Sequence, residues 1–304
     1  MATLAILANP ANEAAGELAK DTATWAEGRG HLVRSLMMND AGLVTEDGTE
    51  EAISLVQLGG ADLAVSLGGD GTFLQLIPLA YAARVPILGV NLGRLGYLLP
   101  VQPQDLHDAL ETALSGDYVP DDRDALMIEV SGGLTLAPGG DRSVVERGSG
   151  THEELGWLAL NEVVVQKTLP GHTVRLATAI DEEPFLSYAA DGILVATPTG
   201  STAYNLSAGG PVVSPRLRSM LLTPIAPHLG FDRSVVLDAD QEIRITVLEE
   251  RPAVLVIDGL EVGRLQPGAE LVCRVAPRPV RFVSLKNQGF GSRLRATLAG
   301  TQDL

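Results

Sequence analysis

The chain has 304 residues, which is more than one hydrophobic core usually contains, so two domains are expected. Its 38 acidic and 22 basic residues give a formal net charge of −16, which repels nucleic acids and anionic membranes and excludes both as partners. The single cysteine excludes an intrachain disulfide, no apolar stretch reaches the roughly 20 residues of a membrane span, and no secretory signal is recognisable. The composition therefore predicts a cytoplasmic globular protein.

Strand-like and helix-like segments alternate over the first third of the chain. Strands are predicted at residues 4–8, 32–35, 62–66 and 85–90, and helices at 13–27, 49–58, 72–83 and 103–114. This alternation predicts a parallel sheet covered by helices on both faces. Ligands of such sheets collect at the carboxyl ends of the strands, where residues 9–10, 68–72 and 91–93 fall.

Short β-rich runs replace the helices from about residue 127 onward. Strands are predicted at residues 127–130, 157–165, 174–180, 193–197, 235–237, 243–248, 254–257 and 271–275. Residues 137–154, rich in glycine and charge, are expected to form a mobile, non-catalytic loop. The predicted fold is an α/β domain with a parallel sheet at 1–124, a β-rich domain at 125–280, and a C-terminal segment at 281–304 that returns to the first domain.

The first motif is the sequence Gly-Gly-Asp-Gly-Thr at residues 68–72, called the glycine turn below. It follows a predicted strand, and it matches neither a Walker A loop nor a Rossmann fingerprint. A carboxylate between glycines, with no lysine beside it, suits proton abstraction or metal contact better than phosphate binding, because it repels phosphate. Asp70 is therefore the candidate general base, and the alternative is that Asp-Gly merely makes a turn.

The second motif is the segment at residues 190–213, ADGILVATPTGSTAYNLSAGGPVV. It is crowded with hydroxyls and small residues, and each buried hydroxyl or bare amide needs a hydrogen-bond partner. A small molecule that carries sugar or phosphate groups supplies many partners at once, so a ligand loop is the leading interpretation. Tyr204 either stacks on a nucleobase or packs within the loop.

Polar residues at three other places in the sequence each allow a functional and a structural interpretation. Asn161 and Glu162 can hold a ribose or purine through paired donors and acceptors, or they form an ordinary strand edge. Asp191 suits either a ligand contact or a turn. Asp258, followed by glycine, is expected in a hairpin turn, with a cleft-lining position as the alternative. The five histidines are scattered without metal-ligand spacing, and no protein-held metal site is predicted.

Taken together, these motifs resemble the NAD kinase family over most of the chain. The glycine turn is also found in lipid kinases and phosphofructokinases, whereas the Thr-Pro-Thr-Gly-Ser-Thr-Ala-Tyr block is far more specific. The matching segments are the glycine turn, residues 91–98, the Asn161-Glu162 pair, residues 191–211 and residues 223–228.

The resemblance implies an enzyme that phosphorylates the 2′-hydroxyl of the adenosine ribose of NAD⁺ with ATP, the two substrates meeting in the cleft between the domains. It implies Asp70 as the proton acceptor, Gly71 as a dinucleotide contact, and Asn161 and Glu162 as the residues that hold the ribose and adenine side. Mg²⁺ is expected to arrive with ATP. A homodimer or homotetramer formed through the β-rich domain is expected. The implied lining of the NAD pocket is Asp191, Thr202, Ala203, Tyr204, Asn205, Leu206 and Ser207.

Three positions depart from the family pattern. Many members carry a basic residue at the place of Ala189, Arg or Lys at that of Gln75, and proline at that of Ser234. These departures leave open whether ATP or inorganic polyphosphate is the donor. The two missing basic residues, at Ala189 and Gln75, also favour one alternative, an NAD-binding regulator with weak kinase activity. A lipid kinase of the diacylglycerol type is the other alternative, against which the lack of a basic or amphipathic membrane face counts.

Overall fold

The computed structural model describes residues 1–39, 42–45, 58–93, 98–99, 101–138, 155–228, 230–248, 251–285, 290–291 and 294–295. The chain divides into two compact units. The first unit comprises Met1–Asp122 and the segment that begins at Val280, and the second comprises Arg123–Pro279. No helix in the described part of the chain is long and apolar enough to cross a membrane.

The secondary structure is numbered here in chain order. The α-helices are α1 Glu13–Glu27, α2 Asp70–Ala83, α3 Leu106–Ser115 and α4 Tyr204–Ser207, with 3₁₀ turns at Pro103–Asp105 and Gly200–Thr202. The strands are β1 Thr3–Ala8, β2 Leu32–Asn39, β3 Gly42–Thr45, β4 Leu63–Gly68, β5 Ile87–Asn91, β6 Val119–Arg123, β7 Leu126–Ser131, β8 Leu134–Leu136, β9 Leu155–Ala159, β10 Glu162–Lys167, β11 Val174–Ile180, β12 Glu183–Ala190, β13 Gly192–Ala196, β14 Ser219–Ile225, β15 Val235–Asp238, β16 Ile243–Val247, β17 Ala253–Ile257, β18 Leu260–Leu265, β19 Glu270–Val275 and β20 Val280–Ser284.

The first unit is built on one sheet with the strand order β3-β2-β1-β4-β5-β20-β6. Its central strands β1, β2, β4, β5 and β20 pair in parallel, so the predicted α/β domain with a parallel sheet is confirmed. Strands β4 and β5 are buried along their whole length, because helices cover both faces of a parallel sheet. The core of this unit is aliphatic and includes Leu4, Ile6, Val65, Leu88 and Leu110.

The helix boundaries differ from the sequence expectation in two places. Helix α2 begins at Asp70, two residues before the predicted start, so the aspartate belongs to the first helical turn. The predicted helix at 103–114 is a 3₁₀ turn that passes into α3, and α3 is capped by Gly116 with φ 78°. The predicted helix at 49–58 lies outside the described residues, except for Leu58 in a turn.

The second unit consists of two antiparallel sheets, with the strand orders β15-β14-β13-β10-β17-β18-β8 and β12-β11-β16-β19-β7-β9. Their inward faces share one apolar core that includes Trp157, Leu176, Ile193 and Leu255. Alternate residues of β16 are buried, as the period-two pattern predicts. The predicted β-rich domain is therefore confirmed. The predicted loop at 137–154 lies outside the described residues beyond Pro138.

The predicted single strand at residues 157–165 is wrong. This stretch forms two strands that belong to different sheets, β9 in the six-stranded sheet and β10 in the seven-stranded one. The chain turns at residues 160–162, called the Asn-Glu corner below. The polar pair Asn161-Glu162 interrupts the apolar run, but the local pattern does not show that the two halves join different sheets. The corner places Asn161 and Glu162 where the chain passes from one sheet to the other.

Candidate functional site

The glycine turn lies at the carboxyl end of β4. Gly69 precedes α2 in an extended conformation, with φ −103° and ψ −175°, and Asp70 is half-buried in the first turn of the helix. The helix dipole favours a negative charge at this position. Asn91 ends the neighbouring strand β5 directly opposite Gly68, and the N–H of Asn9 donates to the carbonyl of Leu67 at 3.0 Å. The three strand ends chosen from the sequence therefore lie on one edge of the sheet.

The three glycines of this turn differ in whether the surrounding structure requires a residue without a side chain. A Cβ on Gly68 would lie 2.6 Å from Thr72 Oγ1, so the packing of the turn itself requires glycine there. Among the described residues, a Cβ on Gly69 or Gly71 meets no heavy atom within 4 Å beyond its chain neighbours and the backbone of its own helix, and neither residue has a positive φ. The protein's own packing therefore does not require glycine at position 71. A bare backbone leaves room for another molecule to approach closely.

In the second unit, Asp258 holds the Asn-Glu corner in place. Its carboxylate accepts three successive backbone N–H groups, from Leu160 and Asn161 at 2.8 Å and from Glu162 at 3.1 Å. Asp258 and Gly259 have φ values of 46° and 81° and form the two-residue turn between β17 and β18. The hairpin predicted from Asp-Gly is confirmed. Its role as a cap for a corner almost 100 residues earlier was missed, because nothing in the local sequence signals it.

Glu162 carries a buried carboxyl group at this corner. The residue is 6% exposed, and its carboxyl accepts a hydrogen bond from the backbone N–H of Tyr204. Its Oε2 atom is buried without a hydrogen-bond partner among the described residues. Burial first, and then the negative charge of Asp258, raise the pKa of Glu162 to about 8, and the Tyr204 N–H opposes this shift. The carboxyl group is therefore largely protonated at neutral pH.

The pKa of Asp258 is also raised, to about 6, because its carboxyl group is desolvated by burial. The three N–H groups of the corner oppose this shift, since they stabilise the charged form. The residue as a whole is only partly buried, because its backbone lies at a surface turn. Of the two neighbouring carboxyl groups, Asp258 is therefore the one that carries the negative charge near pH 7.

Residues 197–207, called the hydroxyl loop below, pack against the Asn-Glu corner. Thr197 Oγ1 donates to the carbonyl of Leu160 at 2.5 Å and accepts the N–H of Gly200 at 3.0 Å. Ser201 Oγ donates to the carbonyl of Pro198 at 2.6 Å and accepts the N–H of Val213 at 3.0 Å. These buried hydroxyls brace the loop internally. The hydroxyls of Thr197 and Ser201, which the sequence analysis offered to a ligand, therefore stabilise the loop itself.

The pocket residues expected within the hydroxyl loop fall into two groups. Tyr204 is 40% exposed and Ser207 is also exposed, so their side chains are accessible. Asn205 is completely buried, and its amide nitrogen donates to the carbonyls of Ser201 at 3.3 Å and Pro211 at 3.1 Å. Its side chain therefore acts first on the shape of the loop. The remaining three are half-buried: Thr202, Ala203 and Leu206.

Asp191 lies away from this corner. It precedes β13, whereas Thr197 follows it, so about 20 Å of strand separates the two positions. The carboxylate of Asp191 forms an ion pair with Lys167 Nζ at 2.6 Å, from the neighbouring strand β10. Ala189, the first of the three departures, lies opposite Arg175 in the ladder of β11 and β12. Lys167 thus supplies a positive charge beside Asp191 from an adjacent strand.

Within one unit, the structure brings together Asn161, Glu162, Tyr204 and Asp258. Asp70 and Gly71 lie in the other unit.

Gln75, the second departure, is half-buried on α2, and its Oε1 atom has no hydrogen-bond partner among the described residues. No group of three or more His, Cys, Asp or Glu side chains in the described part of the chain could hold a metal ion.

Comparisons with known proteins match this chain on both units. Residues 4–118 match the family model of the ATP-NAD kinase N-terminal domain, and residues 160–285 match that of the ATP-NAD kinase C-terminal domain. NAD kinase of Heliobacterium modesticaldum is 39% identical over 302 residues, which cover 97% of this chain and 98% of the relative. NAD kinase of Gemmatimonas aurantiaca is 39% identical over 254 residues, which cover 83% and 82%.

Two solved structures share the fold at 23% sequence identity. Yeast NADH kinase complexed with NADH has a TM-score of 0.78, with 98% of this chain and 88% of that chain covered. An NAD kinase from Archaeoglobus fulgidus in complex with ATP has a TM-score of 0.68, and both chains are covered completely.

Proposed function

The chain belongs to the NAD kinase family, and from this premise we propose that it transfers the γ-phosphoryl group of ATP to the 2′-hydroxyl of the adenosine ribose of NAD⁺. The products are NADP⁺ and ADP. The observation that carries this proposal is the Asn-Glu corner, where a buried carboxyl is joined to the hydroxyl loop through Tyr204 and capped by Asp258. The comparisons support neither the lipid kinase nor the NAD-binding regulator.

Asp70 is proposed as the general base. A ribose hydroxyl is a poor nucleophile, and a positioned carboxylate that accepts its proton contributes typically about 10²–10⁴-fold to the rate. As the proton moves to Asp70, the ribose oxygen forms a bond to the γ-phosphorus, and the bond from that phosphorus to the bridging oxygen of ADP breaks. The position of Asp70 in the first turn of α2 supports this role, since the turn ends a buried strand of a parallel sheet.

The second unit is proposed to hold the dinucleotide. Asn161 offers a carboxamide with both donors and acceptors to the adenine side, and Glu162 binds the adenosine beside it. The exposed ring of Tyr204 packs on a ring of the ligand, and the hydroxyl of Ser207 is accessible for a polar contact. Thr202, Ala203 and Leu206 shape the wall of this pocket, and Asn205 holds the loop. Asp191 contacts a different part of the dinucleotide, since it lies one strand length away.

Magnesium and a partner copy complete the proposal. Mg²⁺ reaches the enzyme bound to ATP, where it screens the phosphates from a chain of net charge −16. The protein forms a homodimer or homotetramer through the β-rich unit, in the cytoplasm as its composition predicts. Phe185 and Leu186, each 36% exposed on the edge strand β12, support an interface there. Sedimentation velocity of the wild type and of Phe185→Glu tests the oligomer, which we expect the substitution to weaken.

The activity is tested by incubating the pure protein with NAD⁺ and Mg²⁺, and with either ATP or inorganic polyphosphate, while NADP⁺ is assayed enzymatically. We expect NADP⁺ with ATP, and the side-by-side comparison decides whether polyphosphate also serves. NAD⁺ binding without NADP⁺ formation from either donor would support the regulator instead.

A further inference from the structure

Glu162 occupies a place that suits a neutral acid rather than an anion. An ionised carboxylate offers about four acceptor sites, yet among the described residues its neighbours supply one backbone N–H and a further negative charge. A buried carboxylate without a cation or several donors is costly, and such a group keeps its proton instead. The protonated form has an O–H to donate, which the buried Oε2 atom can carry.

Asp258 is placed to keep that proton on Glu162. It receives three backbone N–H groups at 2.8 to 3.1 Å, an arrangement that stabilises an anion, whereas Glu162 receives one. When two carboxyl groups lie close together and one proton is available, the group that accepts more hydrogen bonds takes the charge. The charge of Asp258 then disfavours a second charge on Glu162. The backbone N–H of Asp258 also donates to the carbonyl of Glu162 at 3.0 Å, so the two residues are fixed relative to each other.

From this arrangement we propose that Glu162 binds the dinucleotide as a neutral carboxylic acid that donates a hydrogen bond, and that Asp258 is the positioning residue that keeps it oriented and protonated. The inference rests on the proposed function for the identity of the ligand. The acceptor is an oxygen of the ribose or a ring nitrogen of the purine, since both accept and neither needs a cation. The charge that acts on Glu162 comes from Asp258 on the β17–β18 turn, while Tyr204 of α4 contributes a backbone N–H and Asn161 is uncharged.

Two measurements test the proposal, and the first needs no ligand. The ¹³C carboxyl resonance of Glu162 in the full-length wild-type protein, assigned by its loss in Glu162→Gln, is followed from pH 4 to pH 10. We expect its midpoint well above pH 6, and a lower midpoint in Asp258→Asn because the repelling charge is gone. A midpoint near the ordinary value of glutamate would overturn the proposal whether or not the protein makes NADP⁺.

The second measurement is the dissociation constant of NAD⁺ between pH 6.5 and 9.5 by calorimetry. Wild-type binding should weaken as pH rises through 8, by up to about tenfold per pH unit, because the donor is lost. Glu162→Gln keeps a donor, so it should weaken binding less than about fivefold at pH 7 and remove the pH dependence above 8, whereas Glu162→Ala should weaken it further. A larger loss in Glu162→Gln than in Glu162→Ala at pH 7 would show that the anion binds.

Asp258→Asn replaces one of the accepting oxygens by an NH₂ group that faces backbone donors. In this variant we expect KM for NAD⁺ to rise and kcat to change less. The pH profile of KM should also show a lower apparent pKa for Glu162 than in the wild type. Asp181→Asn is the matched control, because Asp181 also lies in a hairpin turn and accepts the N–H of Glu242 at 2.8 Å, away from the corner. Equal effects of both substitutions on KM would overturn the positioning role. Absence of NADP⁺ with intact, pH-dependent NAD⁺ binding would remove the kinase proposal and leave this one standing.

Discussion

The hydroxyl of Thr223 donates a hydrogen bond to the amide oxygen of Asn205 at 2.8 Å, and both residues are almost completely buried. Thr223 lies on β14 and Asn205 in the hydroxyl loop, so this bond ties the loop to the sheet. Because the Thr223 proton is used, its oxygen accepts from the hydroxyl of Ser234 at 2.7 Å. Ser234 thus completes the hydrogen bonding of a buried chain of polar groups.

Thr223→Val should destabilise the protein by about 1–3 kcal/mol, because valine keeps the shape and leaves the amide oxygen of Asn205 without its donor. Ser234→Ala should cost less, about 0.5–1.5 kcal/mol, since it removes one hydrogen bond at a half-buried position. Urea denaturation at pH 7 measures both values. Equal losses would contradict the assignment of Thr223 as the donor to Asn205.

Gly71→Ala should fold with nearly unchanged stability, because the added Cβ meets no heavy atom of the described residues within 4 Å beyond its chain neighbours and the backbone of its own helix. If the dinucleotide approaches this backbone, the same substitution should lower kcat/KM for NAD⁺ by at least about tenfold, which is about 1.4 kcal/mol. Gly68→Ala is the comparison, since its Cβ would collide with Thr72 at 2.6 Å and cost stability. Wild-type kcat/KM in Gly71→Ala would remove the proposed contact.

Asp70→Asn should lower kcat by about two orders of magnitude or more, because the amide does not accept the ribose proton. The dissociation constant of NAD⁺ should change only a few-fold, since the substitution preserves size and polarity. Steady-state kinetics and calorimetry separate the two effects. A variant with near-normal kcat would rule out Asp70 as the base.

Lys167→Met tests the cation that pairs with Asp191. Both side chains are partly exposed, so the free energy of unfolding should change by less than about 1 kcal/mol. KM for NAD⁺ should rise several-fold if Asp191 contacts the dinucleotide, because the carboxylate is then left without its counter-charge. Lys167→Arg keeps the charge and should lie close to the wild type. The expectation fails if methionine and arginine give the same KM.

The stability of the protein should decrease as pH rises from about 4.5 to 8. In this window Glu162 is protonated in the folded state, with a pKa of about 8, and ionised in the unfolded state, so unfolding releases a proton. The contribution of Glu162 to the free energy of unfolding is present in full below pH 4.5 and is lost as pH rises through 8. Asp258 acts in the same direction up to about pH 6. The urea midpoint should therefore fall less between pH 6 and 8.5 in Glu162→Gln than in the wild type. If the midpoint falls equally in both proteins, the raised pKa of Glu162 is refuted.

Several features followed directly from local sequence. Alternating strands and helices predicted the parallel sheet, since buried strands and amphipathic helices leave distinct apolar patterns. Asp258 followed by glycine predicted its hairpin, because few other residues tolerate two successive positive φ values. The apolar residues before Asp70 were enough to predict that it lies at the end of a strand. Strand β12 was not predicted, because its exposed edge position leaves it without a buried apolar run.

The amino-acid sequence by itself determined the alternation of strands and helices in the first unit, the β-rich character of the second, the glycine turn and the family, because short-range periodicity and contiguous motifs encode them. Only the tertiary structure decided that residues 157–165 break at the Asn-Glu corner, and that Asp258, 96 to 98 residues away, caps it. The tertiary structure likewise decided which hydroxyls brace the loop and that Lys167 supplies the charge beside Asp191. The physical reason is that hydrogen-bond partners and burial depend on contacts between distant strands, which no local pattern contains.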